Sequence, residues 1–508
     1  MATFYTKSLH HAFAGSIANY CALAVEILTG FVMSVLLVKA LAVEDFAGYR
    51  LMGSILLTGT LLTSCGLDST LQRYGAEFVS RRDWRRMFLL NRWITLVRAL
   101  ALLAFCAPLL AFRDEIGGFF RFPGSLTELL PLVCVVLLLQ SNNSLWGQTF
   151  FLVRSEFVEL NACRIATALL KLAGLYVVLR WSLGLFGVVA SLIVVFGLFT
   201  SYYAVQNLRW ARGLRRDSSP ATADHAAYTG RVKRYAFFAY LSLNVNVFRD
   251  LSIDSFVISH YLLARDVALY GLASTLILFA ANLNPAAALR SIANQLFIAR
   301  YIEERKDSLL IAGHTFLMKT VIVFYFPVLT LLILFGDTII ELFYTPDYVD
   351  AYTAVIYLSA CYYLFGLTYP FALLISVQEK NIVMVLSGLL SLYNLAMDIV
   401  LVPLYGMAGA AIATGSAGIL HLGLYWLAFR GFYKLRIRFP LAAVARCGVN
   451  LAPAIIVSWH LKLRIGNIAE LAGVLTLFGL LYAAMSYTNR IFDPAELAMI
   501  RRAVLKRG

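Results

Sequence analysis

Charged residues are scarce. They make up 14% of the 508-residue chain, where a soluble domain carries about 25%. Acidic residues are scarcer than basic ones: 28 Asp and Glu stand against 43 Lys and Arg, a formal net charge of +15. A soluble multidomain enzyme of this length would need far more polar surface, so that class is excluded. The basic excess alone would suit nucleic acid. A hydrophobic share of 61% and a mean hydropathy of +0.77 exclude both a nucleic-acid binder and a disordered chain.

Paired cysteines are also missing. Cys21, Cys65, Cys106, Cys134, Cys163, Cys361 and Cys447 form no CxxC spacing, and lie mostly in apolar runs as small hydrophobes do. No disulfide-stapled external domain is expected. Neither a Walker-type phosphate loop nor an HExxH pair occurs, and the seven histidines are dispersed. No metal or cofactor is expected, and the chain is read as a non-enzyme. After a short polar start, Met1 to His11, the apolar stretch runs to about Ala42. That is too long for a cleaved signal peptide.

Long apolar runs are what the chain does have. A helix needs about 20 mostly apolar residues to cross a bilayer core. Fourteen stretches qualify, roughly 12–40, 47–66, 88–112, 126–152, 156–179, 182–205, 235–262, 266–289, 310–335, 352–376, 382–402, 406–429, 440–461 and 467–487. Twelve result if adjacent spans are merged. With the N-terminus inside, 28 of the 43 Lys and Arg fall on cytoplasmic segments and seven on outside loops. That asymmetry places both ends in the cytoplasm. No outside loop exceeds about 20 residues, which leaves no room for the external chemistry of a glycosyltransferase or polymerase. One outside loop, Asp337 to Asp350, carries four acids and no base.

The spans repeat. Leu41-x-x-x-Asp45-x-x-x-Tyr49-x-Leu51 matches Leu262-x-x-x-Asp266-x-x-x-Tyr270-x-Leu272 at an offset of 221, and Gly184-x-x-Gly187 matches Gly406-x-x-Gly409 at 222. The expected fold is therefore all-α and polytopic. Two six-helix lobes would be related by a pseudo-two-fold along the membrane normal, with two extra C-terminal helices. The divisions are 1–205, a basic cytoplasmic linker at 206–233, a second lobe at 234–430, and 431–508 for the last two spans and tail. The linker's charge suits anionic headgroups, but a solvated tether that obeys the positive-inside rule is the preferred reading. The tail opens at Phe492-Asp493-Pro494, a helix start. Leu497, Ile500 and Val504 then share a face beside Arg501, Arg502, Lys506 and Arg507, which reads as an amphipathic surface helix.

Ionisable residues inside spans are costly and mark function by default. The bases are Arg50, Arg92, Arg98, Arg164, Lys171, Arg249, Lys319 and Arg446; the acids are Glu26, Asp250, Asp254 and Asp398. Arg50, Arg92 and Arg446 lie near span ends, where long side chains snorkel. Arg164 and Lys171 are two helical turns apart and share a face. The deep groups must face protein or a water-filled cavity. Two readings stand for them, structural ion pairs or a cationic cavity. The second assigns Arg164, Lys171, Arg249, Lys319 and Arg50 to an anion such as a diphosphate. It assigns Glu26, Asp250 and Asp254 to a coupling ion, H⁺ or Na⁺.

Three stretches resemble the Wzx-type polysaccharide flippases, within the superfamily that also holds multidrug exporters and peptidoglycan lipid flippases. They are Leu41 to Tyr49 with Gly66-Leu67-Asp68 and Arg73-Tyr74-Gly75-Ala76-Glu77; Leu251-Ser-Ile-Asp254-Ser with Tyr270-Gly271; and Asn394-x-x-x-Asp398 through Pro403 to Gly406-Met-Ala-Gly409 and Thr414. Asp398 departs from the pattern, where a polar amide is expected. The resemblance implies a lipid-linked oligosaccharide as substrate, a sugar repeat unit on undecaprenyl diphosphate. It implies movement from the cytoplasmic to the periplasmic leaflet of the bacterial inner membrane by alternating access. Membrane lipids, polysaccharide polymerase and chain-length proteins are the implied companions, with no nucleic acid. A cation-coupled exporter of small drugs is the competing expectation.

Overall fold

The computed structural model describes residues 2–81, 83–154, 156–216, 230–237, 239–240, 251–283, 307–371, 374, 381–435 and 437–493. Three expectations lie outside this set: the core of the linker (217–229), Arg249 with Asp250, and the surface helix after Asp493. The described part is helical, with no strand among the described residues. Hydrocarbon dictates this, because a spanning segment must satisfy every backbone N–H and C=O within itself.

The helices run in chain order as α1 (Ala2–Ala40), α2 (Val43–Ser64), α3 (Leu67–Val79), α4 (Trp84–Ala111), α5 (Gly124–Asn142), α6 (Phe157–Arg180) and α7 (Gly184–Arg216). They continue as α8 (Leu251–Tyr261), α9 (Ala264–Asn282), α10 (Asp307–Phe343), α11 (Ala351–Gly366), α12 (Asn381–Tyr405), α13 (Met407–Leu427), α14 (Leu441–Lys462) and α15 (Ile468–Thr488). Among the described residues eleven helices are long and apolar enough to cross a membrane, or twelve when α2 and α3, bent by 48°, count as one span. The two other expected spans, 235–262 and 352–376, run over residues outside the described set. Large apolar side chains such as Leu28, Leu100, Val194 and Leu404 are exposed. In water they would form an aggregation-prone surface; in a bilayer they face lipid. The chain is a multi-pass membrane protein.

Packing divides the chain into two compact units, Met1–Ala268 and Leu269–Gly508. In the first, α1 lies against α6, α6 against α7, α7 against α5, and α5 against α2; α4 and α8 also pack on α2. In the second, α10 packs on α11 and α14, α13 on α11 and α12, and α14 on α15. Lipid offers no hydrophobic drive between helices, so small residues that permit close approach must supply the contact. Helix α13 carries them: Gly409, Ala410, Ala411, Ala413, Thr414, Gly415, Ala417 and Gly418 are all buried.

The repeated glycines have matching backbone roles. Gly184 opens α7 with φ +57°, and Gly406 precedes α13 with φ +61°. A Cβ is strained at such angles, which is why glycine stands at both positions. Asp45 and Asp266 likewise each lie in the first turn of a helix.

Candidate functional site

Among the described residues of the first unit, a polar constellation joins α1 to α6. Arg164 Nε donates to Glu26 Oε1 at 3.0 Å, and Nη2 donates to Oε2 at 2.6 Å. This is the two-pronged geometry that a guanidinium offers a carboxylate or a phosphate. Nη1 donates to Asn19 Oδ1 at 2.8 Å and Asn161 Oδ1 at 3.0 Å. Asn161 is itself held by its Nδ2 donating to the Phe157 carbonyl at 2.8 Å. Both charged side chains stay partly open, Arg164 at 25% and Glu26 at 34%. The site is therefore reachable from outside the helix pair.

Lys171 shares the face of Arg164, as its spacing predicts. Its Nζ lies 4.5 Å from the ring centroid of Phe196 on α7, a cation–π distance. Arg50, on α2, is half-buried. Asp254 on α8 is fully buried in the first unit, where α8 packs on α2. Arg249 and Asp250 lie outside the described residues. Lys319 belongs to the second unit and forms an ion pair with Asp493 at 3.1 Å. The structure thus joins Arg164 and Glu26, which the sequence reading placed in separate roles.

Sequence reasoning missed four participants. Asn19 and Asn161 were not singled out, although Asn161 is one turn before Arg164 and Asn19 two turns before Glu26; an amide in register with an in-span charge is the usable signal. Arg98 was counted among in-span bases but not as a site residue. It is 1% exposed, with Nη1 3.7 Å from Asp68 Oδ2 and Nη2 donating to the Ser141 carbonyl at 3.4 Å. It sits beside the bend between α2 and α3, where Gly66 adopts φ +65° and a Cβ would collide with the Ala236 carbonyl. Asp398 was noted as a departure from the family pattern. It is fully buried in the second unit and accepts from Asn394 Nδ2 at 3.3 Å.

No family profile matches the chain, and no curated protein matches it. Solved structures do. Lipid II flippase MurJ in an inward closed conformation is 15% identical, with TM-score 0.68, covering 93% of this chain and 97% of that one. An inward-facing multidrug resistance MATE family transporter of the MOP superfamily is 13% identical, with TM-score 0.65, covering 83% and 99%. A MOP superfamily transporter from Pyrococcus furiosus, described as having a binding pocket of reverse polarity, is 14% identical, with TM-score 0.55, covering 83% and 96%. At these identities the likeness establishes the fold, which this chain shares with MOP superfamily transporters.

Proposed function

We propose that this chain is a transporter rather than an enzyme. It moves undecaprenyl-diphosphate-linked oligosaccharide from the cytoplasmic to the periplasmic leaflet of a bacterial inner membrane by alternating access. The observation that carries this reading is the two-pronged Arg164–Glu26 pair. A guanidinium that holds a carboxylate by two parallel hydrogen bonds offers the same donors to a diphosphate. Lys171, two turns further along the same face, adds a second cation. Arg50 and Arg249 remain candidate cations of the same class.

The pair also supplies a coupling scheme. With Glu26 ionised, its carboxylate occupies Arg164. When Glu26 takes up a proton, the ion pair is lost and the guanidinium is free for the diphosphate. When the proton leaves, the carboxylate competes the diphosphate away. Na⁺ bound at the carboxylate would act in the same sense. Asp250 and Asp254 are the further candidates for the coupling ion.

The test uses purified protein in liposomes containing undecaprenyl-diphosphate-linked oligosaccharide, with a membrane-impermeant sugar probe reporting leaflet exposure. Protein-dependent transfer is expected, lowered about tenfold in Arg164→Ala. Transfer equal to that of empty liposomes would defeat the reading. A second reading, cation-coupled export of small molecules, draws support from the fully buried carboxylates Asp254 and Asp398 and from the shared fold. It predicts gradient-driven export of a cationic dye, with no sugar-lipid transfer.

A further inference from the structure

We propose that a cationic cavity in the second unit binds the phosphate headgroup of an anionic membrane lipid in the leaflet that the basic residues mark as cytoplasmic. The cavity has a volume of about 530 Å³ and lies where α10, the start of α14 and the segment after α15 meet. Its charged lining is Lys319, Arg438 and Arg446 against Asp493. Thr315 adds a hydroxyl, and Ile311, Pro440 and Ile491 add apolar surface. Among the described residues the lining brings three cations together with one carboxylate.

Depth argues for a lipid. Lys319 and Asp337 are both on α10. Eighteen positions separate them, about 27 Å of helix, close to the ~30 Å thickness of the hydrocarbon core. Asp337 pairs with Lys462 at the end of α14 at 2.6 Å, and Lys319 with Asp493 just after α15 at 3.1 Å. On this proposal Lys319, nine residues inside the expected span, and Asp337 stand near the two borders of the hydrocarbon, and the cavity lies at headgroup level. A headgroup there presents its phosphate to the cations while its acyl chains remain in the core. The Asp493 carboxylate, 65% exposed, already occupies one anion position on Lys319. Arg446 is oriented by Nη1 donating to the Arg490 carbonyl at 2.8 Å. Both contacts come from the same short segment, which draws Asp493 and Arg446 to one wall. The inference does not rest on the flippase reading, because it concerns a resident lipid and its site lies within one unit.

The test is native mass spectrometry of the full chain released from phosphatidylcholine nanodiscs doped with phosphatidylglycerol. Wild type is expected to retain one phosphatidylglycerol in preference to phosphatidylcholine. Arg438→Gln with Arg446→Gln should weaken that retention by about thirtyfold, and Asp493→Asn should strengthen it. Arg438→Lys with Arg446→Lys keeps the charge and should keep the lipid, which preserves the test if the glutamine pair misfolds. Equal retention by wild type and the folded glutamine pair would overturn the proposal. So would loss of retention in the lysine pair. If inorganic phosphate at millimolar concentration stabilises the protein in pure phosphatidylcholine and displaces phosphatidylglycerol, the site is one for a free anion and the lipid assignment fails.

Discussion

Lys462 Nζ lies 2.6 Å from Asp337 Oδ2, eighteen positions along α10 from the pair formed by Lys319 and Asp493. The helix is thus fastened to the α14–α15 hairpin and the segment after it by two ion pairs about 27 Å apart along its axis. The Lys462–Asp337 pair is only partly exposed, 18% and 29%. It should contribute about 1 kcal/mol, the upper range of a surface pair. Lys462→Ala should lower the thermal midpoint in detergent, and the exchanged pair Lys462→Asp with Asp337→Lys should recover most of the loss. No recovery on exchange would mean that the lysine acts through its contacts with Tyr352 and Trp459 instead.

Arg164→Ala and Lys171→Ala should each lower sugar-lipid transfer about tenfold, the value of one charge-assisted contact, without lowering protein level. Arg164→Lys should not rescue, because an ammonium cannot reproduce the two parallel bonds to Glu26. The measurement is leaflet exposure in liposomes beside a blot for the protein. Unchanged transfer in both single variants and in the double variant would remove these residues from the site.

Glu26→Gln keeps the size of the side chain and removes its charge. Arg164 would then be permanently available, so substrate binding should survive while transport loses its response to an imposed ion gradient. The reading is transport rate with and without a pH or Na⁺ gradient. A variant that still accelerates under the gradient would move coupling to another carboxylate, with buried Asp254 and Asp398 next to be tested.

Removing Asp68 leaves the buried Arg98 guanidinium without its carboxylate. Breaking a buried pair from one side is strongly unfavourable, while replacing both partners with apolar groups is not. Asp68→Ala alone should therefore destabilise by about 2 kcal/mol, below the fully buried range because Asp68 is 25% exposed. Asp68→Ala with Arg98→Met should be milder than the single change. Thermal unfolding of the two variants in the same detergent decides it; a worse double variant would contradict the account.

Gly406 has φ +61° and ψ −142°, and a Cβ there would meet nothing within 4 Å. The cost of Gly406→Ala is then purely backbone strain, about 1–3 kcal/mol, visible as a lowered thermal midpoint with unchanged substrate binding. Stability equal to wild type would mean that the chain relaxes at this turn.

The all-helical, many-spanning class and the positions of the in-span charges were legible without coordinates, while the count of fourteen stands against eleven or twelve spans among the described residues. Hydropathy over some twenty residues is a local property, and oil imposes one local solution, the helix. The repeat at Gly184 and Gly406 was legible for the same reason, since a backbone that needs positive φ writes glycine into the chain. The site was legible only as a set of single residues. Arg164 and Lys171 could be placed on one face, but the spacing within α6 says nothing about what α1 presents to it.

The sequence by itself determined that this protein crosses a membrane many times as helices, and that a few charges lie along those helices. Only the tertiary structure decided the pairings: Arg164 with Glu26 at 138 positions' remove, Arg98 with Asp68, Lys319 with Asp493. The physical reason is that a partner across a helix interface depends on the rotation and depth of two separate helices. Those are set by close packing of small residues over the whole interface, which no single stretch of sequence encodes.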